Sequence, residues 1–254
     1  MSEADAFGKV SARGECAQDL MQLEERLIER LDAWGDDGRV TVLTLTFCRR
    51  ADLFYGTSLL FKTLRVGFPT ARVLVVENAS LPTHRSEIQR LAGECRCDFL
   101  QIPEPSIEHE DFIETALRAA ASSKRADVPL VFLDPDICFW ENCEGFGFDG
   151  LLAGKLDRAY EIEHGDTLSM PRVHTSFMWI PSPRALWKEI QRCKEIHYDF
   201  YPFAPFSVKI AGRWCRYDTA ASLYSVLNDR MSFFTDEHLS CYDHLYCGCL
   251  LYTS

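Results

Sequence analysis

Apolar and polar positions along the chain fall into two periods. Leu20, Leu23, Leu27, Leu31 and Trp34 recur at helical spacing, with Glu24, Glu25, Glu29 and Arg30 between them. That pattern predicts an amphipathic helix over 17–34, stopped at Gly35-Asp-Asp-Gly38. Val40–Phe47 then alternates and is β-branched, as a strand requires. Helical spacing returns over 52–66, and Gly67-Phe-Pro69 ends it. Strands are expected at 71–76, closing on Glu77-Asn78, at 97–102 and at 130–133, with helices at 83–92 and 111–122 between them. Strand and helix alternate and the strands are apolar, which predicts a largely parallel sheet covered by helices on both faces. The second half is less regular: strands at 157–163 and 175–180, helices at 183–196 and 218–228, and an aromatic, proline-rich stretch over 198–216 with no clear period. No internal repeat or linker is evident. The division that follows is a helical extension at 1–38 and a single domain at 39–254.

In a parallel sheet ligands bind beyond the carboxyl ends of the strands. The fourth strand delivers Val131-Phe-Leu-Asp-Pro-Asp136 to that edge. Residues i and i+2 of a strand point the same way, so Asp134 and Asp136 present two carboxylates side by side. A hard divalent ion, Mg²⁺ or Mn²⁺, relieves their repulsion and in turn holds phosphate oxygens. Asp-Pro-Asp is equally a good turn sequence. Arg49 and Glu77 close the first two strands at the same edge.

The 254 residues carry a net charge of −11. An acidic chain repels nucleic acid and anionic lipid, and no apolar run is long enough to span a bilayer. The first nine residues lack a basic region followed by an apolar core, so no export signal is expected and the 11 cysteines read as thiols of a reducing cytoplasm. The pairs Cys95-Arg-Cys97 and Cys247-Gly-Cys249 have tighter spacing than structural zinc sites prefer.

Four segments, in order, resemble the GT-A nucleotide-diphosphosugar glycosyltransferases. They are Leu43–Arg50 leading to Leu59–Arg65 and Phe68-Pro69, then Val75–Ser80, then Val131–Asp136 as the family's D-x-D, and Tyr242-Asp-His-Leu-Tyr-Cys-Gly248. The resemblance implies an α/β three-layer, Rossmann-like sandwich with a mostly parallel central sheet and an added N-terminal helix. The nucleotide-binding half would be about 39–140 and the acceptor-binding half about 141–254. It implies a metal-dependent transferase moving a sugar from a nucleotide-diphosphate donor, UDP-sugar foremost, to an acceptor hydroxyl. Asp136 would be the direct ligand of Mn²⁺ or Mg²⁺, with Asp134 beside it on metal or ribose and His244 completing the set; His238 is the rival. Thr44, Thr46, Arg49 and Glu77 or Asn78 would hold the nucleotide, although Asn78 and Ser80 also suit helix caps. Asp218 would be the general base of an inverting displacement, or simply the N-cap of the helix that follows it. Arg172, His174 and His109 are candidates to line the acceptor site. The acceptor itself is open, with a saccharide favoured over modified DNA, and an oligomer is left open. The alternatives are a nucleotidyltransferase-like enzyme, against which the glycine-free Phe47–Asp52 counts, and an inactive nucleotide-sugar-binding protein on the same fold.

Overall fold

A computed structural model describes residues 4–102, 106–162, 167–197 and 200–245, with side chains from residue 18 onward. The Cys247–Cys249 pair lies outside the described residues.

Helix α1 (Ala4–Trp34) leads to β1 (Thr41–Thr46), α2 (Ala51–Gly67), β2 (Arg72–Asn78), α3 (Pro82–Glu94), β3 (Asp98–Ile102), α4 (His109–Ser122) and β4 (Leu130–Leu133). The chain continues through β5 (Ile137–Phe139), β6 (Leu152–Asp157), β7 (Tyr160–Ile162), β8 (Thr167–Ser169), β9 (Arg172–Ile180) and α5 (Pro183–Ile196). It closes with β10 (Phe206–Ile210), β11 (Arg213–Tyr217), α6 (Ala221–Leu227), β12 (Met231–Phe233), α7 (Asp236–Ser240) and β13 (Tyr242–His244).

The central sheet has seven strands in the order β12-β6-β9-β4-β1-β2-β3. β1 runs parallel to both β2 and β4, and β9 alone opposes its neighbours β4 and β6. This is the mostly parallel α/β sandwich expected from the alternation. Side chains alternate across it. On β1, Leu43 and Leu45 join the core that holds α1, α4 and α5, whereas Val42 faces the core that holds α2. All four residues of β4 are buried because helices cover both faces.

The N-terminal helix is part of the core. Leu23, Leu27 and Leu31 are buried in the same cluster as Phe112, Ala116 and Ala120 of α4. Gly35 and Gly38 take positive φ and turn the chain into β1. Arg125 fastens that turn, donating to Gly35 O at 2.7 Å, to Asp37 Oδ1 at 2.9 Å, to Thr41 Oγ1 at 2.8 Å and to Arg39 O.

Three expectations shift. The strand expected at 157–163 is two: β6 ends at Asp157 and β7 follows it. Gly154 permits β6 to pass there, since a Cβ would lie 2.5 Å from Val173 Cγ1. The stretch 198–216 contains a hairpin, β10–β11, which with β8 and β7 forms a four-stranded sheet. The helix expected from Asp218 starts at Ala221.

Candidate active site

Asp134 leaves the end of β4 with its N–H bonded to Ser176 O of β9 at 2.7 Å. β13 pairs antiparallel with β5 and sets His244 opposite Ile137, one residue beyond Asp136. Leu245 N–H then donates to Asp136 O at 3.0 Å. This short ladder brings His244 Nε2 within 3.1 Å of Asp136 Oδ1 and 3.8 Å of Asp134 Oδ2. One donor atom from each of Asp134, Asp136 and His244 lies within 4.8 Å of the others. Neighbouring ligands of an octahedral ion with bonds of about 2.1 Å sit roughly 3 Å apart, and opposite ones about 4.2 Å apart. The three donors fit such an ion after a small closure, and two carboxylates with one imidazole suit Mn²⁺ or Mg²⁺. Among the described residues this is the one group of its kind. His238, the rival ligand, is elsewhere: it closes the cap of α7 with Thr235 and its ring lies 4.6 Å from Phe146.

A polar series extends from this group. His109 opens α4 and places Nε2 3.3 Å from Asp134 Oδ1. Burial disfavours the charged imidazole, but the Asp134 contact outweighs it and raises the His109 pKa; burial likewise pushes Asp134 up, while the hydrogen bond and charge of His109 hold it below the usual carboxylate range. On the other side, His174 packs edge-on against His244, ring centroids 5.1 Å apart. Ser176 N–H donates to His174 Nδ1 at 3.1 Å, so the neutral ring carries its proton on Nε2. Burial drives the His174 pKa down to about 4, which keeps the ring neutral. Its Nε2 faces Asp157 Oδ2 at 3.9 Å. Arg172 bridges Asp157 (Nε to Oδ2, 3.3 Å) and Asp218 (Nη1 to Oδ2, 3.0 Å).

The structure therefore gathers Asp134, Asp136, His244, His109, His174, Arg172 and Asp218. Asp218 does not cap α6: that position is Ala220, at φ +66°, and Asp218 Oδ1 instead accepts Thr219 N–H at 2.9 Å. Asp157 is a further member, although in the sequence it has the look of an ordinary strand residue. Its signal was a carboxylate ending the run Leu151-Leu-Ala-Gly-Lys-Leu156.

The nucleotide candidates divide. Arg49 lies at the open end of β1, its guanidinium 5.2 Å from the ring of Phe47 and its Nε bonded to Ala79 O at 3.0 Å. Phe47 is exposed beside it and was not singled out from sequence. Thr44 and Thr46 are fully buried within β1; Thr46 Oγ1 reaches Val76 O at 3.4 Å. Glu77 is also fully buried, receiving Ser80 N–H and pairing with Arg85 Nε at 3.0 Å. Asn78 bonds both backbone groups of Ile107, at 2.8 and 3.0 Å, tying β2 to the approach to α4. Neither Asn78 nor Ser80 caps α3, whose N-cap is Leu81.

No protein-family model and no curated protein matches the chain. Solved structures do. WbbM, a bifunctional glycosyltransferase, superposes with a TM-score of 0.50 at 12% identity over 78% of this chain, which spans only 39% of that protein. The galactosyltransferase LgtC, solved with donor and acceptor sugar analogues, gives 0.44 at 11% identity, covering 76% of this chain and 72% of that one. The mannosyltransferase PcManGT of Pyrobaculum calidifontis, solved with GDP-Man and Mn²⁺, gives 0.44 at 13% identity, with coverages of 89% and 65%. The chain has the GT-A fold. The metal-type group lies at the sheet edge where β4 ends.

Proposed function

We propose that this GT-A chain is a glycosyltransferase that moves a sugar from a nucleoside-diphosphate donor, UDP-sugar first among them, to an acceptor hydroxyl. The observation that carries the reading is the Asp134–Asp136–His244 group beyond β4. Asp136 and His244, with Asp134, would hold the divalent ion, and the imidazole in the set favours Mn²⁺ over Mg²⁺. Bound there, the ion neutralises the charge that develops on the departing diphosphate. Arg49 and Phe47 offer a stacking and hydrogen-bonding surface to the nucleotide. Thr44, Thr46, Glu77 and Asn78 support that surface from behind, as buried posts.

Asp218 receives the acceptor proton in an inverting displacement. Arg172 and Thr219 N–H hold its two oxygens, fixing the carboxylate while leaving a lone pair on each. Asp157, on the same guanidinium, binds a second acceptor hydroxyl. A saccharide acceptor suits the adjoining sheet. Trp214 and Tyr160 are 48% and 59% exposed there, and the registers place both on one face. The strands carrying them lead directly into Asp218 and out of Asp157. Phe200 and Phe203, earlier in the aromatic stretch 198–216, are core instead.

The test is a hydrolysis screen of nucleotide sugars with Mn²⁺, with the product anomer read by NMR. Release of one sugar from one donor, abolished by EDTA, is expected, as is inversion at the anomeric carbon during transfer. Failure of every nucleoside diphosphate to stabilise the protein in the presence of Mn²⁺ would end the proposal.

A further inference from the structure

A cavity opens at the opposite edge of the sheet from the metal-type group, where β1, β2 and β3 begin. The cavity holds about 690 Å³; its lining includes Arg39, Arg65, Arg72 and Arg96, with Trp34 as a wall and two carboxylates, Glu94 and Asp98, that are engaged by Arg90 and by the Trp34 indole. The length of β2, seven residues, separates it from the metal-type group by roughly 20 Å.

Four arginines around one space are unexpected in a chain of net charge −11. Arg65 is committed to the framework: its guanidinium donates to Cys95 O, Phe68 O, Ala71 O and Arg96 O at 2.8 to 3.0 Å. Its charge stays in place without a carboxylate. Arg39 and Arg72 share a single carboxylate, Asp37, which also serves Arg125. Three guanidiniums therefore meet one anion. Arg96 has no hydrogen-bond or ion-pair partner for its side chain among the described residues. Arg72 opens β2, and Arg96 lies in the turn two residues before β3 begins. Guanidiniums gathered around one space repel one another unless an anion lies among them.

The backbone sharpens this. Arg96 follows α3 at φ +55°, with Arg96 N–H on Gly93 O and Cys97 N–H on Ala92 O. Glycine is the low-cost residue at that position. An arginine there carries a conformational cost and delivers a cation to the cavity mouth. Trp34 is fixed by its indole N–H on Asp98 Oδ2 at 2.6 Å. Arg125 lies 5.7 Å from its ring.

We infer that this cavity is an anion site, separate from the active site, for a small phosphorylated ligand. The guanidiniums of Arg72 and Arg96 match phosphate oxygens as two forks, and Trp34 provides a flat wall for a ring attached to the phosphate.

The experiment is isothermal titration calorimetry of the EDTA-treated full chain with inorganic pyrophosphate at low ionic strength. A parallel titration with adenosine 5′-monophosphate reports the contribution of the Trp34 wall. Arg96→Gly is the informative variant, because its backbone suits glycine and the fold is retained. One binding event is expected in the wild type, weakened about tenfold by Arg96→Gly, as befits loss of a charged hydrogen-bond donor. Arg96→Lys should fall between the two, and Asp136→Ala should bind as the wild type does. Absence of pyrophosphate binding, equal binding by Arg96→Gly, or loss of binding in Asp136→Ala would each overturn the assignment.

Discussion

Replacing Asp136 by Asn tests the metal-type group without emptying its space. The side chain is nearly buried and sits 3.1 Å from His244 Nε2. Asn keeps the volume, and the Leu245 N–H bond to the main-chain oxygen at 136 is unaffected. Two carboxylates about 4 Å apart repel by about 4 kcal/mol at an effective dielectric of roughly 20, before the histidines offset part of it. The metal-free variant is therefore expected to melt no lower than the wild type. The ion responds differently. Loss of supporting groups outside the ligand set typically costs about 10–100-fold in affinity, so losing a direct ligand should cost at least about 100-fold. With Mn²⁺ at about 100 times the wild-type Kd, binding stabilises the wild type by about 2.7 kcal/mol. At the same concentration the variant gains about 0.4 kcal/mol or less. For a chain of this size about 1 kcal/mol moves Tm by roughly 2–4 °C, so the wild type should rise by about 5–11 °C and the variant by about 1 °C. A thermal-shift titration with Mn²⁺ reads the difference. A variant that responds to Mn²⁺ as strongly as the wild type would refute the assignment of Asp136 as a ligand.

The two carboxylates held by Arg172 should separate in kinetics: Asp218→Asn is expected to bind donor normally and lose transfer by about 100-fold or more, whereas Asp157→Asn should mainly raise the acceptor KM. Single-turnover transfer and donor-binding assays check both, and wild-type transfer by Asp218→Asn would remove its role as base. Leu27→Ala should cost about 2–5 kcal/mol in urea unfolding, because Leu27 is fully buried between α1 and the core of α4; a change below about 0.5 kcal/mol would show that the first helix is dispensable. Asp37 sets an acid limit. Burial raises its pKa, but Arg125, then Arg72 and Arg39, hold it well below the ordinary value of 3.8. A depressed carboxylate contributes stability above its unfolded pKa and loses it as pH falls toward the folded value. Stability measured from pH 5 down to pH 2 should therefore fall less steeply in Asp37→Asn than in the wild type, and identical slopes would contradict the triple pairing.

Legibility in the sequence followed burial on two faces or one. β4 and α5 appear with the predicted bounds because each is framed: an apolar run ending in Asp-Pro-Asp, and a Ser182 cap whose Oγ accepts Ala185 N–H at 3.2 Å ahead of Pro183. The β10–β11 hairpin was hidden for the opposite reasons. All five residues of β10 are exposed, so no alternation marks a buried face. Its turn, Ala211-Gly212, takes positive φ at both positions, yet the first is alanine where Asn or Asp would have announced it. His244 rests on a three-residue strand paired with another of three, too short for any period to show. Only the resemblance pointed to it.

The direction of β9 explains how distant parts of the chain reach one site. In an all-parallel sheet the carboxyl ends of the strands share one edge, and residues opening a strand lie at the other. β9 is reversed, so its beginning stands beside the end of β4: Leu133 pairs with Phe177, and Asp134 N–H reaches Ser176 O. Arg172 and His174 are thereby placed at the ligand edge although they open a strand. β6, antiparallel to β9, is restored to the direction of β4, and its last residue, Asp157, arrives at the same edge opposite Arg172. One strand reversal supplies a cation flanked by carboxylates next to the metal-type group. The alternation of strand and helix in the first half predicts the edge and the two aspartates, but it is silent on a reversal whose pairing partners lie 15 to 50 residues apart, and Asp157 escapes the pattern for that reason.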